Sequence, residues 1–287
     1  MDDPLVSVLV PTYNSQAYVE RAIKSAIDQT CRDLEIIVQD NASTDRTWEI
    51  VTSYAEKDSR LKCARNLSNV GPLRNWQLGL KRCTGEYLKI LWSDDWMEPL
   101  CVEACVEALK ADNEAGFVFT GTIIHGLEYD APVYFYPDRR SFDIETYLVR
   151  AILFQNMPVS PSCALIRSVD GQFQTLPGSN RELQLAGLEI GAGPDILFLL
   201  MTAIKYKRIL HIPRFHNHFQ ARPECFTISE ARLVQHAYEE TLKLFVRDIA
   251  EPKFARLPRA LRIARALRNF HRIRKWMKGP ARIQFRK

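Results

Sequence analysis

Two adjacent aspartates, Asp94 and Asp95, stand at the end of an apolar segment that begins at Tyr87. Neighbouring carboxylates repel each other, so a cation or hydroxyl donors must offset their charge. No His or Cys adjoins the pair, and oxygen ligands of this kind suit Mg²⁺ or Mn²⁺, which commonly bridge to phosphates. The pair therefore predicts a metal-assisted site for a nucleoside diphosphate.

Polar clusters also follow the three apolar segments that precede this one. They are Pro11-Thr12-Tyr13-Asn14, Asp40 to Asp45, and Asn66 to Gly71. In an open parallel sheet, ligands bind beyond the carboxyl ends of the strands, so all four clusters should line one crevice. There Asp40 could accept a hydrogen bond from a base, and Tyr13 could stack on one. Any one cluster alone would be equally consistent with a helix cap.

The elements that must position these clusters alternate along the first half of the chain. Short apolar runs typical of buried strands cover 6–10, 34–38, 61–64, 87–92 and 116–120, and helical spacing covers 19–27, 48–55, 73–80 and 102–109. This rhythm predicts an α/β fold with a mostly parallel sheet and helices on both faces. The second half is less regular: we expect a hairpin within 121–137, strands at 162–166 and 208–212, a loop over 168–193, and helices at 143–154, 196–205, 226–248 and 257–277.

Several other classes of protein are disfavoured by motif or composition. The chain has neither a P-loop nor a G-x-G-x-x-G after its first strand, which argues against P-loop NTPases and ordinary dinucleotide dehydrogenases. Nucleotidyltransferases usually carry a Gly- and Arg-rich loop where this chain has Pro11-Thr12-Tyr13-Asn14. The seven cysteines are scattered and odd in number, and we expect them to be reduced core residues.

The charge is unevenly distributed. The net charge is +5, yet residues 253–287 contain 13 Lys or Arg and no acid, so the rest carries 26 basic against 34 acidic residues. Within 257–277, apolar residues recur every three or four positions between arginines, which is the pattern of an interfacial helix on an anionic membrane. The alternative is that this stripe packs on the protein body and leaves a solvated basic face. A nucleic-acid partner is not expected, because that interpretation would rest on the basic tail alone and would leave the polar clusters at the strand ends unexplained.

Two further expectations concern location. The sequence has no run of 18 apolar residues, so no membrane-spanning helix is expected. Its acidic start, Met1-Asp2-Asp3-Pro4, is unlike a signal peptide. We therefore expect a cytoplasmic protein, attached peripherally to the inner face of the membrane if the tail binds there.

Taken in order, the motifs resemble those of family-2 glycosyltransferases with the GT-A fold. The resemblance rests on residues 6–14, 38–45 and 69–71, on Gly85-Glu86-Tyr87, and on Ser93-Asp94-Asp95-Trp96. It is specific over about residues 5–120 and weaker to about 220. It implies a GT-A-type nucleotide-binding sheet over residues 1–220, followed by a helical extension with a basic amphipathic tail over 221–287.

The resemblance also implies roles for individual residues. Thr12, Tyr13 and Asp40 would hold the base, Asp94 the ribose and Asp95 the metal, Mn²⁺ or Mg²⁺. Pro11, Asn69 and Arg74 would complete the donor site, although Arg74 could instead be a surface charge. Many members have an Asp two residues before Asp94, where this chain has Trp92. The metal site then rests chiefly on Asp95, with His218 matching a region where some relatives use a His.

The catalytic base is expected in the second half. A sugar hydroxyl that attacks the donor must lose its proton to a nearby carboxylate. In the family an acid opening a helix does this, and Asp195 fits, although it could be only a first-turn carboxylate that favours the helix dipole. Glu189 is the reserve candidate, and Trp96 could border the acceptor site.

The expected function is therefore an inverting glycosyltransferase in cell-surface polysaccharide or glycolipid synthesis. The donor would be a nucleotide sugar, with UDP or dTDP favoured by the resemblance, and the acceptor a saccharide or lipid-linked hydroxyl. The alternative is a non-catalytic relative that only binds nucleotide sugars.

Overall fold

A computed structural model describes residues 5–126, 129–168, 193–223, 225–229, 231–250 and 254. Within these ranges ten strands form one sheet. They are β1 Val6–Thr12, β2 Leu34–Asp40, β3 Leu61–Arg65, β4 Tyr87–Ile90, β5 Trp96–Met97, β6 Ala115–His125, β7 Ala131–Val133, β8 Ser141–Asp143, β9 Ala164–Arg167 and β10 Arg208–Gln220. A short 3-10 helix, Pro161–Cys163, precedes β9.

The strand order is β3-β2-β1-β4-β9-β6-β10-β5, with β7 beside β6 and β8 beside β10. Strands β1 to β4, β6 and β10 run in one direction, and the short strands β5, β7, β8 and β9 run against them. The β1–β2 register pairs Thr12 with Asp40, so two of the predicted clusters start side by side.

Helices cover both faces of the sheet. They are α1 Val19–Ile27, α2 Thr47–Ala55, α3 Pro72–Leu80, α4 Cys101–Ala111, α5 Ile144–Ile152, α6 Pro194–Ala203, α7 Phe226–Ser229 and α8 Ala231–Leu244, followed by a π-helical segment Phe245–Ala250. One hydrophobic core joins the sheet to α1, α2 and α4. The other joins it to α3, α5, α6 and α8. The central strands are apolar on both faces because both faces are covered.

The helices that follow residue 220 share the second of these cores. Val234, Ala237 and Leu242 of α8 are buried in the same cluster as Ile196 and Leu199 of α6. Helix α8 therefore packs directly on the element that carries the predicted base. No helix among the described residues is long and apolar enough to cross a membrane.

Strand β10 differs most from its prediction. The apolar pattern predicted a strand over 208–212, and the next residue, Pro213, cannot donate a hydrogen bond to a neighbouring strand. The strand instead continues to Gln220, and its pairing with β6 shifts register at three places, one of them between Ile212 and Phe215. Such irregularities accommodate a residue that cannot join the ladder. As a result, 216–220 reach the edge of the sheet where Asp94 and Asp95 lie.

Candidate active site

Asp40 lies at the end of β2 and is fully buried. Its carboxylate accepts hydrogen bonds from the backbone N–H of Ser43 at 3.1 Å and from the Ser43 hydroxyl. Arg65 forms an ion pair with it at 3.2 Å. Asp40 thus fixes the turn after β2, where Ala42 has a positive φ of 60°. Its carboxyl group has protein partners on both oxygens.

The hydroxyl of Thr12, the register partner of Asp40, is buried and has no partner among the described residues. Buried hydroxyls are normally hydrogen-bonded. Next to it, Tyr13 is exposed, whereas Pro11 is half-buried and continues the pairing with β2. A free donor beside an exposed aromatic ring is suited to contact a planar polar ligand.

A network of asparagine side chains holds the loop after β3. Asn41 donates to the Asn69 side-chain oxygen at 2.8 Å and accepts from Asn66 at 3.0 Å and from the Val70 N–H at 2.9 Å. Asn69 also accepts from the Gly71 N–H at 2.9 Å. Asn69 therefore helps to fix the conformation of the loop after β3. Arg74, on the first turn of α3, is exposed.

Asp95 is almost fully buried. The Ser162 hydroxyl donates to its Oδ2 at 3.1 Å, and the Gln220 N–H donates to its Oδ1 at 3.2 Å. Burial, and after it the charge of Asp94, raises the pKa of the Asp95 carboxyl group well above its usual range. The charged form of Asp95 is therefore disfavoured here, and a bound cation would favour it.

Asp94 is partly exposed and lies between two arginines. Arg222 forms an ion pair with its carboxylate at 2.8 Å and stacks over the Tyr18 ring at 4.5 Å. Arg21 of α1 donates to the Asp94 carbonyl oxygen at 3.1 Å and to the Gln220 side-chain oxygen at 3.0 Å. Two cations beside a carboxylate pair make this edge of the sheet a suitable place for an anionic ligand.

Sequence reasoning did not identify Arg21 and Arg222. Arg21 had a weak signal, because it lies on α1 among the buried residues Val19, Ala22 and Ile23 without belonging to their face. Arg222 had none, because its position depends on β10 extending eight residues beyond Ile212, and it lies 128 residues from Asp94 in the chain.

His218 lies in a chain of four titratable side chains. Its Nε2 contacts Glu98 Oε1 at 2.8 Å, and its Nδ1 contacts His125 Nε2 at 2.9 Å. His125 Nδ1 in turn contacts Asp130 at 3.1 Å. Burial lowers the pKa of the His218 imidazole. Both ring nitrogens of His218 have partners, so it would bind a metal only by exchanging one of them.

The ring of Trp96 contacts both Arg21 and His218. The Arg21 guanidinium lies over its ring at 3.5 Å, and the His218 ring stacks on it at 4.9 Å with an interplanar angle of 6°. Both arrangements are favourable contacts of an aromatic face. These contacts hold the Trp96 ring in place, and its role at the border of the acceptor site stays a prediction.

The donor set partly fits a divalent cation. Asp94 and Asp95 supply adjacent carboxylate oxygens, the ligands that Mg²⁺ and Mn²⁺ prefer. Among the described residues, however, no group of three or more His, Cys, Asp or Glu side chains is arranged to hold a metal ion. The side chain of Trp92 packs against Trp76 at 5.5 Å and donates to the Ser160 hydroxyl, so it supplies no ligand. Other metal ligands would have to come from a rearranged His218 or from the substrate.

Asp195 opens α6, directly after Gly193 and Pro194. Its Oδ1 accepts from the N–H groups of Gly193 at 3.0 Å and Ile196 at 2.9 Å, and its Oδ2 accepts from the Tyr238 hydroxyl. Protein atoms surround the carboxyl group although the residue keeps some exposed surface. Burial raises its pKa to about 6, while these hydrogen bonds act in the opposite direction.

The loop after β1 and the carboxylate pair lie close together, and Asp195 is linked to them indirectly. The hydroxyls of Ser15 and Ser93 are 2.8 Å apart and join the loop after β1 to the turn that carries Asp94. Helix α6 packs against the 3-10 helix whose Ser162 bonds Asp95. The reserve candidate Glu189 lies outside the described residues.

Comparison with known proteins agrees with this geometry. Residues 7–170, more than half of the chain, match the sequence model of Glycosyl transferase family 2. The chain belongs to this family. The resemblance inferred from the motifs is thereby confirmed.

Similar proteins cover only part of this family-2 member. An uncharacterised glycosyltransferase of Haemophilus influenzae is 35% identical over 97 residues, which is 34% of this chain and 39% of that protein. Chondroitin synthase of Escherichia coli is 35% identical over 118 residues, 41% of this chain and 17% of the synthase. The chain thus spans less than half the length of these curated relatives.

Solved structures share the fold. Residues 1–349 of S. aureus TarS, in complex with UDP-GlcNAc, superpose with a TM-score of 0.69 and 21% identity, over 89% of this chain and 70% of that one. The mannosyltransferase PcManGT of Pyrobaculum calidifontis, in complex with GDP-Man and Mn²⁺, has a TM-score of 0.59 and 22% identity, over 93% of this chain and 74% of its own. The predicted α/β, GT-A-type sheet with helices on both faces is therefore confirmed.

Proposed function

We propose that this family-2 member is an inverting glycosyltransferase that moves a sugar from a nucleoside-diphosphate donor to a hydroxyl acceptor. The observation that carries the proposal is the cluster at one sheet edge. The carboxylate pair of Asp94 and Asp95 is flanked by Arg21 and Arg222, and the Ser15–Ser93 contact joins its turn to the loop after β1, the strand that ends in the unpartnered Thr12 hydroxyl. A nucleoside diphosphate has the complementary chemistry, a planar base at one end and two phosphates at the other.

The donor would lie along this edge with its base near Pro11, Thr12 and Tyr13. Asp40 and Asn69 already have partners, so we assign them to shaping the base pocket, with Asp40 meeting the base if Arg65 or Ser43 gives way. Asp94 would hold the ribose, and Arg74, Arg21 and Arg222 would offer positive charge to the phosphates. UDP-sugar donors are favoured because TarS, which has the same fold, is solved with UDP-GlcNAc.

A metal ion, Mn²⁺ or Mg²⁺, would be held chiefly by Asp95, with His218 as a second ligand after partner exchange. When bound, it would neutralise charge on the departing diphosphate. This assignment is supported by the raised pKa of Asp95 and by the Mn²⁺ in the PcManGT complex.

The reaction proposed for this chain is a single displacement. The acceptor hydroxyl gives its proton to the Asp195 carboxylate while its oxygen bonds to the anomeric carbon, and the bond from that carbon to the diphosphate breaks. A base with a pKa of about 6 is ionised at neutral pH and still basic enough to share the proton in the transition state. Saccharide ends and lipid-linked saccharides are the proposed acceptors, in cell-surface polysaccharide or glycolipid synthesis; chondroitin synthase is among the similar proteins.

A screen of nucleotide sugars by thermal shift, with and without Mn²⁺, tests the donor proposal. Stabilisation by UDP- or dTDP-sugars that grows with Mn²⁺ is expected, and release of free nucleotide from a labelled donor would then establish turnover. Binding without release to water or to any offered saccharide or lipid-linked acceptor would favour the non-catalytic alternative. Absence of binding by every nucleotide would contradict the proposal.

The basic tail is proposed to attach the protein to an anionic membrane surface. Residues 255–287 lie outside the described residues, and Phe254 just before them packs on the second core. Each cation near such a surface contributes about 1 kcal/mol. Vesicle co-sedimentation of the full chain and of a chain ending at Glu251, with and without anionic lipid, tests this. Equal sedimentation of both chains, or binding that ignores salt and lipid charge, would overturn it.

A further inference from the structure

Helix α8 brings a buried tyrosine hydroxyl to the carboxyl group of Asp195. The Tyr238 hydroxyl donates to Oδ2, while Oδ1 accepts from the Gly193 and Ile196 N–H groups at 3.0 and 2.9 Å. The carboxylate is therefore held from two sides. Its own helix fixes one oxygen, and a helix 43 residues later in the chain fixes the other.

The position of Tyr238 is itself fixed by packing. Its neighbours Val234, Ala237 and Leu242 on α8 are buried in the second core. Its ring meets Phe154, which follows α5, edge-on with ring centroids 6.0 Å apart. Side chains three and four positions apart share a helix face, so α8 is anchored on the same side from which Tyr238 reaches Asp195.

We propose that Tyr238 is a positioning residue for catalysis, which orients the Asp195 carboxylate and keeps it ionised at neutral pH. The inference rests on the proposed function in one respect, namely that Asp195 is the general base. It adds that the helices after residue 220 complete the active site.

The electrostatics of the site favour this role. Burial disfavours the charged form of Asp195, and the Tyr238 hydrogen bond is the largest of the interactions that favour it. The other groups that act on this carboxyl group are the backbone N–H groups at the start of α6. Tyr134, after β7, interacts with Asp195 as well, and burial raises its pKa well above the usual value, so that it is neutral. Cys163 of the 3-10 helix, which packs on α6, is likewise neutral, because burial raises its pKa to about 12.

A hydrogen bond to the charged form of an acid lowers its pKa, and its loss raises the pKa. Without Tyr238 the carboxyl group would be protonated over more of the neutral range and free to rotate away from the acceptor. The variant would then lose more of its activity at low pH than at high pH. A residue that only supports packing would lower activity equally at every pH.

The test compares Tyr238→Phe with a matched control, Tyr147→Phe. Tyr147 is also buried, but its hydroxyl donates to the neutral carbonyl of Pro158 at 3.2 Å. The titration midpoint of Asp195 is followed by carbon-13 NMR of its carboxyl group, and the pH profile of kcat/KM is recorded in parallel. In Tyr238→Phe we expect both the midpoint and the acidic limb to move up by roughly 1 to 2 pH units, the effect of one hydrogen bond to a charged group. The control should move neither.

An unchanged Asp195 midpoint in folded Tyr238→Phe would overturn the proposal, as would an equal shift in the control. Should Tyr238→Phe not fold, 3-fluorotyrosine at position 238 serves instead, because its more acidic hydroxyl is a stronger donor and should lower the midpoint. The NMR measurement does not depend on turnover. If the midpoint moves but the protein has no glycosyltransferase activity, the proposed function is contradicted and the role of Tyr238 in holding Asp195 stands. If the midpoint moves but the acidic limb of kcat/KM does not, Asp195 is not the base.

Discussion

The two ends of the proposed donor site are built in different ways. The nucleotide end consists of the loops after β1, β2 and β3, and the carboxylate end consists of Asp94, Asp95 and the residues around them. At the nucleotide end, the hydrogen bonds that shape the site join residues close in the chain: Asn14 to Ser43 across 29 residues, and Asn41 to Asn69 across 28. At the carboxylate end, Asp95 meets Gln220 across 125 residues, and Asp94 meets Arg222 across 128. The first end is therefore a property of neighbouring β-α units, while the second exists only when β10 is in place beside β5 and β6.

The two ends also differ in the kind of interaction that dominates each of them. At the nucleotide end, the ends of parallel strands provide polar loops whose side chains bond each other and the loop backbone. At the carboxylate end, charged groups from α1, the turn after β4 and the end of β10 converge, and their pKa values are displaced by burial and by each other. We therefore expect substitutions at the nucleotide end to change stability and donor affinity, and those at the far end to change turnover.

The largest effect is expected for Asp195→Asn. It removes the proton acceptor and should lower kcat by roughly 10²–10⁴-fold while donor affinity stays near that of the wild type. Steady-state kinetics with isothermal titration of UDP measures both quantities. Glu189→Gln is the matched control, and if it alone reproduced the loss, the two roles would have to be exchanged.

Asp95→Asn is expected to be somewhat less damaging. Loss of the charge that holds the metal should reduce turnover by roughly 10²–10³-fold and should weaken the Mn²⁺-dependent part of nucleoside diphosphate binding. The same titration with and without Mn²⁺ separates the metal-dependent part. Turnover that keeps its full response to Mn²⁺ in this variant would remove Asp95 from the metal site.

At the nucleotide end, Asn41→Ala should cost stability first. It removes one hydrogen bond each from Asn66 and Asn69, which keep Asn75 and the Gly71 N–H as partners, and it exposes the Val70 N–H to solvent. Each lost hydrogen bond costs about 0.5–1.5 kcal/mol. Urea denaturation should show a lower free energy of unfolding, while kcat at saturating donor changes little. A variant with full stability and a low kcat would break the distinction between the two ends.

The smallest expected effect is that of pH on the wild type. Burial raises the pKa of Asp195 to about 6, and a base acts in its ionised form, so activity should be present above that value and lost below it. A carboxyl group with this pKa is about one-tenth ionised at pH 5, which predicts a roughly tenfold fall in kcat/KM between pH 7 and 5. Nucleotide binding measured over the same range serves as the reference, and an acidic limb near pH 4 would argue against Asp195.

Much of the fold and part of the site follow from local pattern. The mostly apolar runs at Val6–Val10 and Leu34–Val38 favour burial on both faces, which a parallel sheet covered by helices provides. The parallel order then brings Thr12 beside Asp40 and sets the carboxylate pair at the same edge. The roles predicted for Asp94, Asp95, His218 and Asp195 stay predictions, and the structure adds the partners each of them has.

Other features depend on contacts that no local pattern contains. The apolar pattern predicted a strand over 208–212, yet β10 continues past Pro213 with a shifted register, because its pairing with β6 and β5 outweighs the one hydrogen-bond donor that Pro213 lacks. The ion pair of Arg222 with Asp94 and the hydrogen bond of Tyr238 with Asp195 follow from that continuation and from the packing of α8 on α6. The sequence by itself determined the sheet, its helices and the polar strand ends, since burial and periodicity act over a few residues. Only the tertiary structure decided which charges meet, since electrostatic pairing depends on distance in space.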